Sequence, residues 1–253
     1  MDSEHATFSP MTYTLITANR NYSSWSLRPW VLMKALGIAF SDRLEPFTKP
    51  DNYEDFLKFS LTGQVPLLID GTRMIPDSLA ITLYLAERHD GIWPAEQEAR
   101  IFAQGTVAEM HGGFGHLRAC CTMNVGVRVR PKPMSEGLQR NIARVREIFE
   151  TGLARFGGPW LAGAEFSAVD AFYAPVAFRI RTYGLDVGKG QAWVERVLAH
   201  PAMLQWEAEA LAEDWREESH EADLAACGAI VADYRKGAVR VRDSTHSDSL
   251  TGS

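Results

Sequence analysis

Apolar positions in the first third of the chain switch between the two-residue period of a strand and the helical period of about 3.6 residues. Tyr13 to Thr17 alternates as a strand, and Trp25 to Leu36 repeats apolar residues at helical spacing before stopping at Gly37. The same spacing rules predict a second strand from Phe40 to Pro46 and a short helix from Tyr53 to Phe59. Strands and helices in this order are typical of a small α/β unit.

The stretch TGQVPLLIDG, from Thr62 to Gly71, places a proline at the entry of a short apolar strand. Proline removes a ladder donor and is tolerated at strand starts and edges. We therefore expect the strand to begin at Leu67, with Pro66 a candidate for a cis peptide bond. The N–H and C=O of Val65 would then be unpaired, and an extended peptide can pair with such groups as an added strand.

A hairpin and a helix follow this edge. Asp70-Gly71 is a typical turn dipeptide that should return the chain as a second short strand. Asp77 and Ser78 then open a helix that runs to about His89. The first turn of that helix offers free N–H groups and the positive end of the helix dipole, which suit a bound carboxylate.

Beyond Gly91 the apolar period is helical almost everywhere, and no further strand is predicted. An arginine- and proline-rich stretch, Val125 to Pro133, separates the first two helices. The predicted helices are Glu98 to Cys121, Glu136 to Phe156, the segment between Ser167 and Gly184, Ala192 to Leu198, Pro201 to Trp215 and Glu217 to Tyr234.

These patterns divide the chain into an α/β unit over residues 11–90 and an all-α bundle over residues 97–235. The polar residues 1–10 and 236–253 are predicted to be a disordered lead and tail. With 46% hydrophobic and 23% charged residues, the 253-residue chain has the composition of a globular protein.

The formal charge of −6 argues against nucleic acid or an anionic membrane as the main partner. No apolar run reaches transmembrane length, and the first residues lack the features of a signal peptide, which predicts a cytoplasmic protein. Cys120, Cys121 and Cys227 show no metal-ligand spacing, so neither a metal site nor a disulfide framework is predicted. We interpret them as packing residues, with a catalytic thiol as the alternative.

Two runs of residues resemble a known family. Gln-Val-Pro-Leu-Leu-Ile-Asp-Gly at 64–71, followed by Asp-Ser-Leu-Ala-Ile-Thr-Leu-Tyr-Leu at 77–85, is similar to the glutathione-binding half of the thioredoxin-like domain of cytosolic glutathione transferases. The resemblance covers roughly residues 11 to 215. It implies an α/β thioredoxin-like N-terminal domain, an all-α C-terminal helical-bundle domain, and a homodimer. It also implies glutathione as co-substrate and detoxification of a small-molecule electrophile.

The loop before the first helix contains Ser-Ser-Trp-Ser-Leu-Arg, from Ser23 to Arg28. A hydroxyl at a helix N-terminus can donate to a bound thiolate, and with the helix dipole it lowers a thiol pKa from about 8.5 towards neutrality. The run resembles the zeta class and its bacterial relatives, which use the first serine, here Ser23. Ser24 stays open as the alternative, as does a purely capping role for both serines.

The resemblance also implies how glutathione would be held. Ser78, with its backbone N–H, would hold the γ-glutamyl carboxylate, and Asp77 would bind the α-amino group. Val65, next to Pro66, would pair with the cysteinyl backbone. The polar candidates for the glycyl end are Gln64 and Lys49.

The stretch Met110 to Ser135 contains no Asp or Glu but six basic side chains, so it would attract anionic substrates to a neighbouring glutathione site. Its beginning resembles a bacterial transferase subgroup in which this helix faces the cleft. The basic candidates for an electrophile pocket are His111, Arg118 and Arg128, and the candidates for its apolar walls are Trp25, Phe114 and Tyr183. Solvated surface positions for the arginines and core packing for the aromatic residues are the alternatives.

Ser167 and Asp170 have the spacing of a capping box, with Phe166 placed as a hydrophobic staple. The same pattern occurs in the helical domain of glutathione transferases, where the resemblance implies a buried box important for folding. We therefore assign the pair a structural role.

The hypothesis from the sequence is a two-domain glutathione transferase. A maleylacetoacetate-type cis-trans isomerase, which adds and eliminates the same thiol, is the first alternative. A catalytically silent binding module is another. A glutathione-dependent reductase is disfavoured because cysteine is absent at Ser23 and Ser24.

Overall fold

The computed structural model describes residues 13–237. The predicted lead at 1–10 and the predicted tail beyond Gly237 lie outside this range. The first residue of the predicted tail lies within it, and the N–H of Lys236 donates to the carbonyl of Leu211 over 2.9 Å. Within the described range no helix combines the length and apolarity needed to cross a membrane, and no three His, Cys, Asp or Glu side chains are grouped to hold a metal ion.

A four-stranded mixed sheet lies at the centre of the N-terminal unit. The strands are β1 (Tyr13–Thr17), β2 (Phe40–Leu44), β3 (Leu67–Asp70) and β4 (Arg73–Pro76), and the helices are α1 (Ser24–Ala35), α2 (Tyr53–Phe56) and α3 (Ser78–Ala86). β1 is parallel to β2 and antiparallel to β3, and β3 and β4 form the predicted hairpin, giving the order β2-β1-β3-β4. Each strand and helix predicted from the spacing of this unit is present.

The second unit is mainly helical. The helices are α4 (Gln97–Gly112), α5 (Gly115–Cys120), α6 (Glu136–Phe156), α7 (Ala168–Tyr183), α8 (Gln191–Leu198), α9 (Pro201–Ala212) and α10 (Glu218–Cys227), and the strands are β5 (Val127–Pro131) and β6 (Gly228–Asp233). The predicted helical character is confirmed, and α7 is buried along almost its whole length.

Helix α1 joins the two units. It packs against β1 and α3 on one side and against α7 and α9 on the other, so its residues are buried on nearly every face. Trp30 has no exposed surface, its Nε1 donates to Asp42 Oδ2 over 2.6 Å, and its ring meets Trp206 edge-on at 5.2 Å. The two units therefore share one apolar core through this helix.

The prediction of a single helix from Glu98 to Cys121 is wrong, because α4 ends at Gly112 and α5 begins at Gly115. Phe114 between them has a φ of 62°, in the left-handed region. A Cβ at Gly113 would lie 2.7 Å from the carbonyl oxygen of Glu109, so the turn requires glycine there. The apolar spacing continues across the break, which hides it from a periodicity argument.

The prediction that no strand follows Gly91 is also wrong. β5 and β6 form an antiparallel pair between segments about one hundred residues apart in sequence, so local spacing gives little sign of it. The helix predicted up to Tyr234 ends at Cys227, and β6 begins at Gly228. A Cβ at Gly228 would lie 2.3 Å from the carbonyl oxygen of Arg130, so only glycine allows this close approach.

Asp170 is fully buried at the start of α7 and accepts three hydrogen bonds. Its carboxylate receives the N–H of Ser167 (3.1 Å), the N–H of Leu161 (2.9 Å) and Nε1 of Trp193 (2.8 Å). The Ser167 hydroxyl has no partner within residues 13–237. The predicted capping-box arrangement of Ser167 and Asp170 is present. Its well-formed hydrogen bonds are those to Asp170, which also fixes two neighbouring segments.

Candidate active site

The strand edge predicted at Val65 borders a cleft of about 710 Å³. The Val65–Pro66 peptide bond is cis, and neither the N–H nor the C=O of Val65 is hydrogen bonded to another described residue. The carbonyl of Pro66 accepts the N–H of Asp77 over 3.3 Å. The cleft is lined by residues of the loop 47–53, the edge 62–66, and Trp25, Phe56, Asp77 and His220.

Asp77 begins α3 in a backbone conformation that few residues adopt. Its φ is 75°, and its Oδ1 accepts the N–H of Leu79 over 2.7 Å, so the side chain caps the helix. Its other oxygen, Oδ2, lies 3.7 Å from Nε2 of His111, on α4 of the second unit. One carboxylate thus caps the helix and reaches across to the second unit.

Ser78 is fully buried, and its hydroxyl accepts from Nη1 of Arg28 over 3.3 Å. The hydroxyl is therefore occupied inside the protein. The backbone N–H of Ser78 has no partner among the described residues, as is usual in a first helical turn. That N–H and the positive end of the helix dipole are the groups at this position that suit an anion.

Ser23 and Ser24 have different surroundings, although each is only 6% exposed. The Ser23 hydroxyl donates to Oγ of Ser26 over 2.7 Å and makes no capping bond to α1. The Ser24 hydroxyl accepts from Nη2 of Arg179 over 3.4 Å, which turns it toward α7. Neither serine borders the cleft, whereas the next residue, Trp25, does.

The two candidates for the glycyl end differ in position. Gln64 lines the cleft, and its carbonyl accepts from the Ser60 hydroxyl over 2.7 Å. Lys49 lies outside the lining, where its Nζ pairs with Asp55 over 2.6 Å. That hydrogen bond raises the pKa of Lys49. The geometry favours Gln64.

Two of the residues predicted for the electrophile pocket, His111 and Arg118, lie against a third, Trp25. Its ring meets His111 edge-on at 5.2 Å, and the guanidinium of Arg118 lies 4.8 Å from the ring centre. Arg28 stacks on the same ring at 4.1 Å. Phe114 is 7% exposed and packs edge-on against Tyr173, so it is mainly a core residue.

The arginines Arg28, Arg118 and Arg179 form a cluster with no carboxylate within 4.0 Å in the described part of the chain. Burial, followed by repulsion from Arg118, lowers the pKa of Arg28 and brings that of Arg179 to about 10. Burial also lowers the pKa of Arg118. Nε of Arg28 has no hydrogen-bond partner in the described structure. This cluster, which we call the arginine cluster, is a positive region behind Trp25 and Ser78, and the attraction of Arg28 to the more distant Asp77 offsets its lowered pKa only in part.

Two of the predicted pocket residues lie elsewhere. Arg128 is on β5, with its guanidinium 5.2 Å from the ring of Tyr234, and it does not line the cleft. Tyr183 is buried, and its hydroxyl donates to the carbonyl of Thr122 over 3.1 Å. Cys121 and Cys227 are buried too, and burial raises the pKa of Cys121 to about 12, which suits packing rather than a reactive thiol.

Sequence reasoning missed the contribution of α10 to this cleft. His220 lines it, stacked between Tyr22 and Phe47. Glu217, three residues before His220, is hydrogen bonded to the imidazole. A Glu and a His three residues apart at a helix start was visible in the sequence, but nothing local indicated that this helix returns to the N-terminal unit.

Two family models match the chain. Residues 22–88 match the glutathione S-transferase N-terminal domain and residues 135–209 match the glutathione S-transferase C-terminal domain, together more than half of the sequence. The chain belongs to the cytosolic glutathione S-transferase family. The family and the fold class inferred from the sequence are confirmed.

Curated glutathione S-transferases are similar to the chain at low identity. The zeta-class enzyme of Euphorbia esula is 27% identical over 157 residues, which are 60% of this chain and 70% of the relative. Glutathione S-transferase theta-2 of Mus musculus is 26% identical over 185 residues, 67% of this chain and 75% of the relative. These relatives agree with the family that the two models establish, and at this identity they indicate no substrate.

Solved structures of glutathione transferases and of Ure2p are similar to this chain in fold. A glutathione transferase homolog from Burkholderia gl BGR1 with bound glutathione has a TM-score of 0.59 and 20% identity, and the match covers 79% of this chain and 98% of that one. Ure2p in complex with glutathione has a TM-score of 0.58 and 16% identity, over 78% and 98% of the two chains. These similarities establish the two-unit fold.

Proposed function

We propose that this family member is an active glutathione transferase that binds glutathione in the 710 Å³ cleft and activates its thiol for attack on an electrophilic small molecule. One observation carries the proposal. Val65, with its unpaired backbone, and Asp77, which begins α3, line the same cleft, and the next N–H of that helix start, on Ser78, has no partner among the described residues. Such an arrangement suits an extended peptide with a carboxylate at one end. Both the Burkholderia homolog and Ure2p were solved with glutathione bound.

The proposed binding mode follows from the free groups of the cleft. The cysteinyl backbone pairs with Val65, and the γ-glutamyl carboxylate accepts from the N–H of Ser78. Arg28, bonded to the Ser78 hydroxyl, adds positive charge behind that carboxylate. Asp77 Oδ2 is available for the α-amino group, and Gln64 faces the glycyl end.

Ser23 is the residue we propose to act on the thiol. Its hydroxyl lies at the start of α1 and is bonded to another hydroxyl rather than to the helix backbone, so it can rotate toward a thiolate without uncapping the helix. The dipole of α1 favours the same negative charge. Ser24 is the weaker candidate because its hydroxyl faces Arg179.

The arginine cluster supports an anionic electrophile as the second substrate. Arg118 is the half-buried member of the cluster and lies beside Trp25 and His111, where a substrate carboxylate would offset its charge. The same observation favours a second candidate function, the isomerisation of a maleyl-type cis acid by reversible thiol addition.

The decisive experiment combines retention on immobilised glutathione with a panel of electrophiles that includes maleylacetone and pairs each carboxylate with its neutral ester. Thioether formation supports the transferase, and cis-trans conversion without net thiol loss supports the isomerase. Retention without any turnover would instead identify a binding module. Sedimentation of the same sample tests the homodimer that the family implies.

A further inference from the structure

His220 has a fixed orientation in the wall of the cleft. Its ring stacks on Tyr22 at 4.8 Å with an interplanar angle of 23°, and on Phe47 at 5.0 Å with an angle of 19°. Its Nδ1 lies 2.6 Å from Oε2 of Glu217. The two stacked rings and Glu217 hold the imidazole in place, and its Nε2 makes no hydrogen bond within residues 13–237. The side chain is 36% exposed, and His220 lines the cleft.

Glu217 is built to remain ionised. Only 3% of the residue is exposed, and its carboxylate accepts from the N–H of Ser219, the N–H of His220 and the Ser219 hydroxyl. Burial alone would raise its pKa, but the hydrogen bonds from Ser219 and His220 outweigh burial and lower the pKa to about 2. The carboxylate thus holds the Nδ1 proton of His220 and leaves Nε2 as the free basic atom.

Other charged groups lie on the elements that pack around His220. The Tyr22 hydroxyl donates to Glu221 over 2.7 Å, and Glu221 is also bonded to Arg235. On the loop that carries Phe47, Lys49 pairs with Asp55, and Asp51 lines the cleft. Glu217 is the one carboxylate in the described range that is hydrogen bonded to the imidazole.

We propose that His220 and Glu217 form a proton-transfer pair for bound glutathione, an inference that rests on the proposed function of the cleft. Tyr22, on which His220 stacks, immediately precedes Ser23, so the imidazole lies beside the loop that receives the thiol. Nε2 accepts the thiol proton as the S–H bond breaks, leaving a thiolate that Ser23 stabilises and an imidazolium that Glu217 stabilises. When the thiolate forms its bond to the electrophile, the imidazolium gives the proton to the product or to water.

His220 is then a catalytic residue and Glu217 a positioning residue. The competing explanation is that the stack merely attaches α10 to the N-terminal unit. The two explanations differ in their pH dependence. A stacked ring without a nitrogen would preserve the attachment, but it would not accept a proton.

The experiment compares His220→Phe, Glu217→Gln and the matched control Glu221→Gln, which alters the same helix without touching the imidazole. We expect His220→Phe to lose roughly 100-fold in kcat/KM near neutral pH and to move the acid limb of the profile to higher pH. We expect Glu217→Gln to move that limb to lower pH, because the imidazolium formed by the proton transfer then lacks an ionised neighbour. Glu221→Gln should reduce thermal stability and leave the limb in place.

Ultraviolet titration of the bound thiolate, with glutathione affinity from calorimetry, separates failure of this pair from failure of the proposed function. Wild type that does not bind glutathione contradicts the proposed function itself. The second outcome is that wild type binds glutathione and turns over, while His220→Phe has the same thiol titration and the same acid limb in its kcat/KM profile. That outcome overturns the proton-transfer role alone. If His220→Phe does not fold, Glu217→Gln decides the question. An acid limb of its kcat/KM profile that stays in place or moves to higher pH overturns the proton-transfer role.

Discussion

The Ser23 hydroxyl donates to the Ser26 hydroxyl over 2.7 Å, and Ser26 accepts in turn from the N–H of Ala18. Ser26 is fully buried, so the pair fixes where the Ser23 oxygen lies at the start of α1. This is the position from which a thiolate beside the loop would be stabilised.

We therefore predict that Ser23→Ala raises the pKa of the bound glutathione thiol by roughly one to two units, since a hydrogen bond to a charged acceptor is worth about 1.5–3 kcal/mol and one unit is about 1.36 kcal/mol. Turnover should fall near neutral pH and recover partly at higher pH, with glutathione affinity little changed. Thiolate absorbance across a pH series measures the shift. Ser24→Ala is the matched control, and a shift that appears there instead would transfer the role to Ser24.

Glutathione affinity should depend on Asp77 more than on the Ser78 hydroxyl. The hydroxyl is occupied by Arg28, so Ser78→Ala leaves the N–H that binds the carboxylate, and we expect a loss of affinity below about fivefold. Asp77→Ala removes the α-amino partner and should weaken binding roughly 10- to 100-fold. It should also destabilise the fold by about 0.5–2 kcal/mol, because the cap of α3 is lost. Calorimetry of the two variants checks this order, and unchanged affinity in the double variant would contradict the binding mode.

Arg118→Met should discriminate between substrates by charge. We expect KM for a carboxylated electrophile to rise roughly 10- to 100-fold, as for loss of a hydrogen-bonded charge pair, while the neutral ester is hardly affected. Arg128→Met is the control, because the Arg128 guanidinium lies against Tyr234, whereas that of Arg118 lies against Trp25. Equal effects of the two variants, or equal effects on both substrates, would exclude an anion site at the arginine cluster.

The two halves of the predicted capping box should differ in their contribution to stability. Asp170→Ala leaves three buried donors without an acceptor and should lower the free energy of unfolding by at least about 2 kcal/mol. Ser167→Ala removes a hydroxyl that has no hydrogen-bond partner among the described residues, and it should change the free energy of unfolding by less than about 0.5 kcal/mol. Denaturant unfolding measures both, and the folded fraction of each variant should keep its turnover. Comparable losses would show that the Ser167 hydroxyl does cap α7.

Asp170 also makes stability depend on pH. Burial raises its pKa from 3.8 to about 6, so the folded protein keeps a proton that the unfolded chain releases between these values. The stability due to that proton is complete below about pH 4 and is lost as pH rises through about 6. Wild type should therefore lose stability relative to Asp170→Asn across this window, as melting temperatures at a series of pH values would show. A constant difference between the two would mean that the hydrogen bonds keep Asp170 ionised.

Much of the fold could be predicted from the sequence, because many of its helices and strands are determined by residues close together in the chain. Periodicity and the Val65-Pro66 stretch predicted the N-terminal sheet and its helices, and Glu136 to Phe156 matched α6 at both ends. The missing parts depend on distant contacts. β5 pairs with β6 across about one hundred residues, and the left-handed Phe114 interrupts a helix without interrupting its apolar spacing.

The candidate site divides in the same way. Asp77, Ser78 and Val65 are near neighbours in sequence, so a motif could identify them. His220 and Arg179 reach the site only because α10 and α7 pack against the N-terminal unit. The prediction for Arg128 fails for the opposite reason. The basic stretch from Met110 to Ser135 does not form one surface, because its second half includes β5, where Arg128 lies against Tyr234 and not in the cleft.

The position of α10 has a consequence for the order in which the protein is made. Residues 22–88 emerge from the ribosome long before His220, and the Tyr22–Glu221 and Glu221–Arg235 bonds that anchor this helix need residues near the end of the described chain. A nascent chain can therefore complete its sheet while the cleft still lacks one wall.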